Sequence, residues 1–379
     1  RIVLGTKAQT QHRGLQSAMA FPGAALIAPM VPPFFQLALL LCFFYLGAMI
    51  GLRRGPVQAR GMALADLPKV REEYSHYLNS VRRLDDTVGR VLQALEDSGL
   101  AGRTLVVFIT DNGSSFPFAK ANTYLASNRT PMLVRWPGVT KPGSVDRTHF
   151  VSEVDFFATF MEATGLTAPE GLDGRSMVPL IKGGDQPGRD CVFTQIDYTI
   201  GGPPKPMRCV QDARYGYIFN AFSDGKFKYK NNNEGMTFAA MEEAGKTDPA
   251  IQARVQMFRY RVPEEFYDLE KDPGCTNNLI HDPKQQELVK KYQDRLRRWM
   301  VETHDHCLPS FDARANPAQL AQAVSKYPKL DKSAGTATEA GEKPEPGDDP
   351  DPKPPADDKN AKRKANRAAK KAGDNEAAK

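Results

Sequence analysis

The sequence predicts an α/β fold with a mostly parallel central sheet flanked by helices, followed by a smaller C-terminal antiparallel α+β module. Three observations predict it. Residues 105–109 form an unbroken apolar run ending in Asp111-Asn112-Gly113, which suits a strand buried on both faces of a parallel sheet. Just before it, residues 70–99 place Tyr77, Val81, Leu84, Val88, Val91, Leu92 and Leu95 at spacings of three and four, one apolar helical stripe. From Cys191 onward the pattern turns to short strand candidates separated by glycines, prolines and Asx turns.

Each element follows in order. Gly99 stops the first helix, and the strand comes after a short loop. Residues 113–130 read as a polar loop, and 132–136 as a second strand closed by Pro137-Gly138. A helix is expected over 151–164, with Val154, Phe157, Ala158, Phe160 and Met161 near one side. Leu172-Asp173-Gly174-Arg175 makes a turn. Further strands are expected at 192–193, 208–210, 215–220 and 265–269, and an amphipathic helix at 286–303 closes the module. The expected divisions are 1–60, 61–185, 186–312 and 313–379.

The two ends differ from this core. Residues 34–52 contain Gln36 as their only strongly polar member and are followed by Arg53-Arg54, so they are long enough for a membrane-spanning helix. A buried hairpin, or a segment foreign to the folded domain, competes with that reading. At the other end, residues 331–358 carry nine acids against three bases, and 359–371 carry seven bases and no acid. With six prolines between 344 and 355 and few apolar residues, the tail from 313 to 379 is expected to be disordered. The net charge of +6 therefore comes with an uneven tail, and nucleic acid is not expected as a partner. The five cysteines form no C-x-x-C pair and give neither a zinc signature nor a disulfide framework.

The chemistry centres on Asp111 and Asn112. Parallel sheets place ligands at the carboxyl ends of their strands, and these side chains offer hard oxygens of the kind calcium or magnesium takes. A strand followed by an ordinary Asn-Gly turn accounts for the same residues.

Several segments together resemble the sulfatase family of the alkaline-phosphatase-like superfamily. They are the stretch from Tyr77 to Asp86, residues 104–113, Pro131-Met132-Leu133-Val134-Arg135-Trp136-Pro137-Gly138 and Leu172-Asp173-Gly174-Arg175-Ser176. Phe266-Tyr267-Asp268-Leu269, with Asn277-Asn278-Leu279 shortly after it, completes the set. Within the family, Pro206-Met207-Arg208-Cys209-Val210-Gln211, Tyr260-Arg261 and Glu302-Thr303-His304-Asp305 are similar to the heparan N-sulfatase branch.

The resemblance implies an incomplete alkaline-phosphatase-like domain that hydrolyses sulfate esters or N-sulfated sugars at a calcium site, in an exported, periplasmic or membrane-associated protein. Asp111 and Asn112 would be two metal ligands, Lys120 a sulfate contact, and Arg208 a candidate substrate contact that an ion pair would equally explain. His304 is a candidate ligand or base, or simply the cap of its helix. Asn128-Arg129-Thr130 matches a glycosylation sequon. The departures count as well. The family's nucleophile is a cysteine or serine matured to formylglycine inside a Cys/Ser-x-Pro-x-Arg motif, and no such motif stands in these 379 residues. Cys307-Leu308-Pro309-Ser310 imitates its start, but Phe311 replaces the arginine. The metal-binding Asp-Asp pair and the catalytic histidines are missing too, so the expectation is a truncated sulfatase-like chain with little or no activity of its own. Two alternatives stand beside it: a phosphodiesterase or phosphonate hydrolase of the same superfamily, and a membrane-tethered remnant anchored by 34–52.

Overall fold

The computed structural model describes residues 64–198, 204–230 and 233–328, together with the backbone of strands β1 (Ile2–Leu4) and β2 (Leu39–Cys42). Helix α1 (Pro68–Asp97) starts on a proline, whose missing N–H costs nothing in the first turn, and stops at Gly99, where φ is +69°. It buries Val70, Tyr77 and Val81 and meets Phe116 of the following loop edge to face, with ring centroids of Tyr77 and Phe116 5.9 Å apart.

Strand β3 (Val106–Ile109) pairs in parallel with β2 and antiparallel with β4 (Met132–Arg135). Strand β4 in turn pairs in parallel with β1, which meets β5 (Val145–Asp146) antiparallel. The sheet order is therefore β2-β3-β4-β1-β5. This corrects the expectation of a mostly parallel sheet: the sheet is mixed. Apolar content reports that a strand is buried on both faces, and says nothing about the direction of its neighbour. A single loop (113–130) returns β4 beside β3, which an antiparallel pair permits.

A second correction concerns residues 34–52. Leu39–Cys42, inside the expected membrane helix, is extended and hydrogen-bonded to Val106–Ile109. The rest of that segment lies outside the described residues, among which no helix is long and apolar enough to cross a membrane. A buried strand and the middle of a spanning helix have the same apolar composition.

Helices α2 (Leu125–Asn128), α3 (Asp155–Ala163) and α4 (Val178–Ile181) follow the loop and the sheet. Met177, Leu180 and Ile181 join Val107, Ile109 and Val134 in one core. Strands β6 (Cys191–Ile196), β7 (Met207–Asp212), β8 (Tyr215–Asn220) and β9 (Glu264–Asp268) then form an antiparallel sheet in sequence order. Its two faces alternate along each strand. Met207, Cys209, Ile218 and Tyr267 pack on one side against α5 (Met236–Ala244) and α6 (Pro249–Tyr260). Val210, Tyr217, Phe219 and Phe266 pack on the other against α7 (Gln286–Glu302) and α8 (Leu308–Asp312). Burying one such aromatic side chain contributes about 1.5–3 kcal/mol.

Residues 313–328, part of the stretch expected to be disordered, are structured. Helix α9 (Pro317–Ser325) is capped by Asn316, whose Oδ1 accepts from Ala318 and Gln319 N–H. Beyond it, Tyr327 meets Phe222 edge to face at 5.5 Å. Local capping and one buried ring order this stretch, and residues 329–379 lie outside the described part.

Candidate functional site

Strand β3 ends at Ile109, and after Thr110 the next two residues turn sharply. Asp111 Oδ1 accepts the Asn112 N–H at 2.9 Å, and Asn112 Nδ2 donates to the Gly113 carbonyl at 2.7 Å. The amide nitrogen is thus turned to the backbone, and Oδ1 is the atom suited to a ligand. Gly113 is required where it stands: a Cβ there would lie 2.0 Å from the Ala126 carbonyl oxygen and 2.2 Å from that of Ala119. Its N–H donates to Ser127 O at 3.0 Å, which closes the loop 113–127 onto the strand end.

Asp111 and Asn112 open into a cavity of ≈ 1080 Å³. Glu153, Arg175, Thr194 and His304 also line it. Burial, and then the neighbouring Asp111 charge, push the Glu153 carboxyl above its usual range. The donors Asp111 and Asn112 have the hard-oxygen chemistry calcium takes, and the repulsion felt by Glu153 is of the kind a cation would relieve. Calcium nevertheless takes about six to eight oxygens. Among the described residues no group of three or more His, Cys, Asp or Glu side chains is placed to hold a metal. The set is a partial shell.

The Leu172-Asp173-Gly174-Arg175 turn is locked onto the start of α3. Asp155, nearly buried, accepts the Arg175 N–H at 2.8 Å and the Arg189 guanidinium at 2.6 Å. A Cβ on Gly174 would fall 1.9 Å from Val154 O, so only glycine permits this approach. Arg175 spends its guanidinium on the carbonyls of Pro187 and Gly188, each at 3.0 Å.

His149 borders the same cavity between two carboxylates: Nδ1 lies 2.7 Å from Asp146 and Nε2 2.7 Å from Asp185. The hydrogen bond to Asp185, then the one to Asp146, raises its pKa above the ordinary value. A group raised on folding contributes stability fully below its unfolded value, about 6.5, and loses it as pH rises through the higher folded value. NMR titration of the imidazole should therefore give a midpoint above about 6.5, and His149→Gln should flatten stability against pH in that window. An ordinary midpoint would sink this account.

Not every expected site residue meets here. Asp111 and Asn112 line the cavity; Lys120 and Arg208 do not. Lys120 is half-buried on a loop held in an unusual backbone shape, with Phe118 at φ +64° and Ala121 at φ +54°. Phe118 is fixed by stacking on Tyr124 at 3.9 Å, with the Arg261 guanidinium 4.0 Å from its ring centre. Arg208 is fully buried. It forks onto Asp305 at 2.5 and 2.8 Å and pairs with Asp197 at 2.8 Å. Of the two readings of Arg208, the ion pair is the one this packing favours, because its donors are committed to protein oxygens.

Asn128, of the sequon, donates Nδ2 to Thr194 Oγ1 at 3.0 Å inside the cavity wall, so the nitrogen a glycan would use is already engaged. Burial lifts the Cys307 thiol to about 12, which leaves it inert. Among the described residues Cys191, Cys209, Cys275 and Cys307 are free thiols.

His304 does cap its helix. Its N–H donates to Val301 O at 3.2 Å and that of Asp305 to Met300 O at 2.8 Å, the paired bonds of a Schellman turn. Its φ of +51° is one glycine adopts freely, and a histidine there costs about 1 kcal/mol. Glu153, His149 and Trp299 carried no signal in the sequence, since each becomes a cavity residue only through the packing of α3, β5 and α7.

Two family models match: Sulfatase over residues 16–166, and N-sulphoglucosamine sulphohydrolase, C-terminal, over 113–232. The first begins inside the segment that composition set apart. Among curated proteins, human N-sulphoglucosamine sulphohydrolase is 28% identical over 252 residues, covering 63% of this chain and 49% of that one. An ulvan-active sulfatase of Formosa agariphila is 26% identical over 290 residues, covering 73% and 46%. Among solved structures, a Bacteroides thetaiotaomicron protein assigned to the sulfatases superposes with a TM-score of 0.46 at 21% identity, covering 66% and 48%. The chain thus spans about half the length of the curated relatives it matches.

Proposed function

The chain belongs to the sulfatase family, and from that premise we propose that it serves the hydrolysis of sulfate esters or N-sulfated sugars. One observation carries the reading: Asp111 and Asn112, just past the carboxyl end of β3 and within the residues the sulfatase model matches, open into a large cavity. The heparan N-sulfatase branch is proposed because the second model and the human relative are both N-sulphoglucosamine sulphohydrolases.

In this reading Asp111 and Asn112 present two hard oxygens beside the bound sulfate. Lys120 is assigned the sulfate contact from the resemblance, and the strained loop between Phe118 and Ala121 fixes its backbone. A lysine there stabilises negative charge as it develops on the sulfate oxygens. Calcium, when bound, would neutralise charge on the same oxygens. Arg208 acts at a distance, by holding Asp305 at the cavity wall.

The formylglycine motif is absent from these 379 residues, and the buried Cys307 cannot replace it. Sulfate release from N-sulfated glucosamine by the purified chain, with calcium present, should therefore be at background. Robust calcium-dependent turnover would overturn the claim of a missing nucleophile.

A further inference from the structure

The loop that bears Lys120 is tied to an arginine far away in the chain. Arg261, the residue just after α6, is buried and holds φ +59° and ψ −171°, a backbone region open in practice to glycine alone. Strain of this kind persists only where the surroundings over-determine it. The guanidinium lies 4.0 Å from the centre of the Phe118 ring and 5.2 Å from that of Tyr124. One terminal nitrogen donates back to the Met257 carbonyl at 3.1 Å, and the other to Asn122 Oδ1 at 2.9 Å. Asn122 in turn donates its Nδ2 to the backbone carbonyl of Lys120 at 2.6 Å. Two hydrogen bonds therefore lead from Arg261 to the backbone of Lys120 itself. Phe118 and Ala121, at φ +64° and +54°, flank that lysine, so strained backbone stands on both sides of the contact. Glu265 of β9, buried and held by the Tyr124 hydroxyl at 2.7 Å and the Tyr267 hydroxyl at 2.5 Å, supplies negative charge for the buried guanidinium.

We propose that Arg261 is a positioning residue, which fixes Lys120 for its sulfate contact through the side chain of Asn122. The inference rests on the assignment of Lys120 to the sulfate and adds the residue that holds it there. Ala121 and Asn122 line the cavity whereas Arg261 does not, so any effect of Arg261 on a ligand there is indirect. Arginine suits the task because its planar fork makes two hydrogen bonds in fixed directions while its face stacks on a ring; a lysine ammonium cannot do both. A packing role alone would make Arg261 matter for stability, and its effect on ligand affinity would not depend on the Lys120 side chain.

The test is a double-mutant cycle read by calorimetry on the full chain, with N-sulfated glucosamine as the probe and calcium present. Lys120→Ala should weaken binding about tenfold, the worth of one charge-assisted hydrogen bond. Arg261→Lys should weaken it about tenfold in the wild-type background, and by less than about twofold once Lys120 is already alanine. Asn122→Ala cuts the same link at its other end and should repeat the pattern; it carries the comparison if Arg261→Lys fails to fold. Melting curves confirm that each variant is folded at the temperature of the titration. Undiminished binding by Arg261→Lys and Asn122→Ala, or equal losses with and without the Lys120 side chain, overturns the positioning role and leaves the assignment of Lys120 standing. Wild-type affinity in Lys120→Ala, or no binding by the wild type, removes that assignment and this inference with it.

Discussion

Replacing Arg208 by methionine should lower the stability of the folded chain by about 3–5 kcal/mol, the cost of stripping one partner from a buried ion pair. The guanidinium is 0% exposed, grips both oxygens of Asp305, and reaches Asp197 at 2.8 Å. Methionine fills much of the volume but leaves two carboxylates without their counter-charge. Burial raises the Asp305 pKa and the Arg208 hydrogen bonds more than offset it, so its carboxyl sits below the ordinary range. A group depressed on folding contributes stability above its unfolded value, about 3.9, and loses it as pH falls through the lower folded value. Urea unfolding at neutral pH measures the loss, and the variant should also lack that acid-side slope. A loss under about 1 kcal/mol would mean the pair is solvated, as surface pairs are.

Gly113→Ala should cost about 3 kcal/mol, the upper end of overpacking. The obstacles are the backbone carbonyls of Ala126 and Ala119, which cannot rotate aside as a side-chain tip would. Either the strand end or the loop 113–127 must move, and both carry the cavity. Thermal unfolding reads the stability, and loss of saccharide binding should accompany it. A variant with wild-type melting would show that the loop adapts without strain.

The parts legible in the sequence were those with a strong local signal. The stripe of α1, the stop at Gly99 and the helix over 286–303 were read to within two residues of the observed α1 and α7. Strand β8 was read over its full length and β7 only at its centre, 208–210, both from the turn residues that bound them. Helix α5 was missed because Met236, Phe238, Ala239, Ala240 and Met241 surround it without a stripe. Helix α6 had a readable start in Asp248-Pro249, since Asp248 Oδ1 accepts from Ala250 and Ile251 N–H. Strand direction was invisible, being fixed by which distant segment arrives alongside. The same holds for the site: Asp111 and Asn112 stood out because they follow a strand end, whereas Glu153 and Trp299 acquire meaning only when the start of α3 and the end of α7 meet the same cavity.

The cavity draws its walls from β3, the start of α3, β6 and the end of α7, segments separated by nearly two hundred residues of chain. No local fragment contains it. A ligand that fits therefore finds nothing to bind in the unfolded chain, and its full binding free energy adds to folding by mass action, about 2.7 kcal/mol at a hundredfold excess over its dissociation constant. Occupancy and folding become one linked equilibrium, so the melting point of this chain is a property of its surroundings as much as of its sequence.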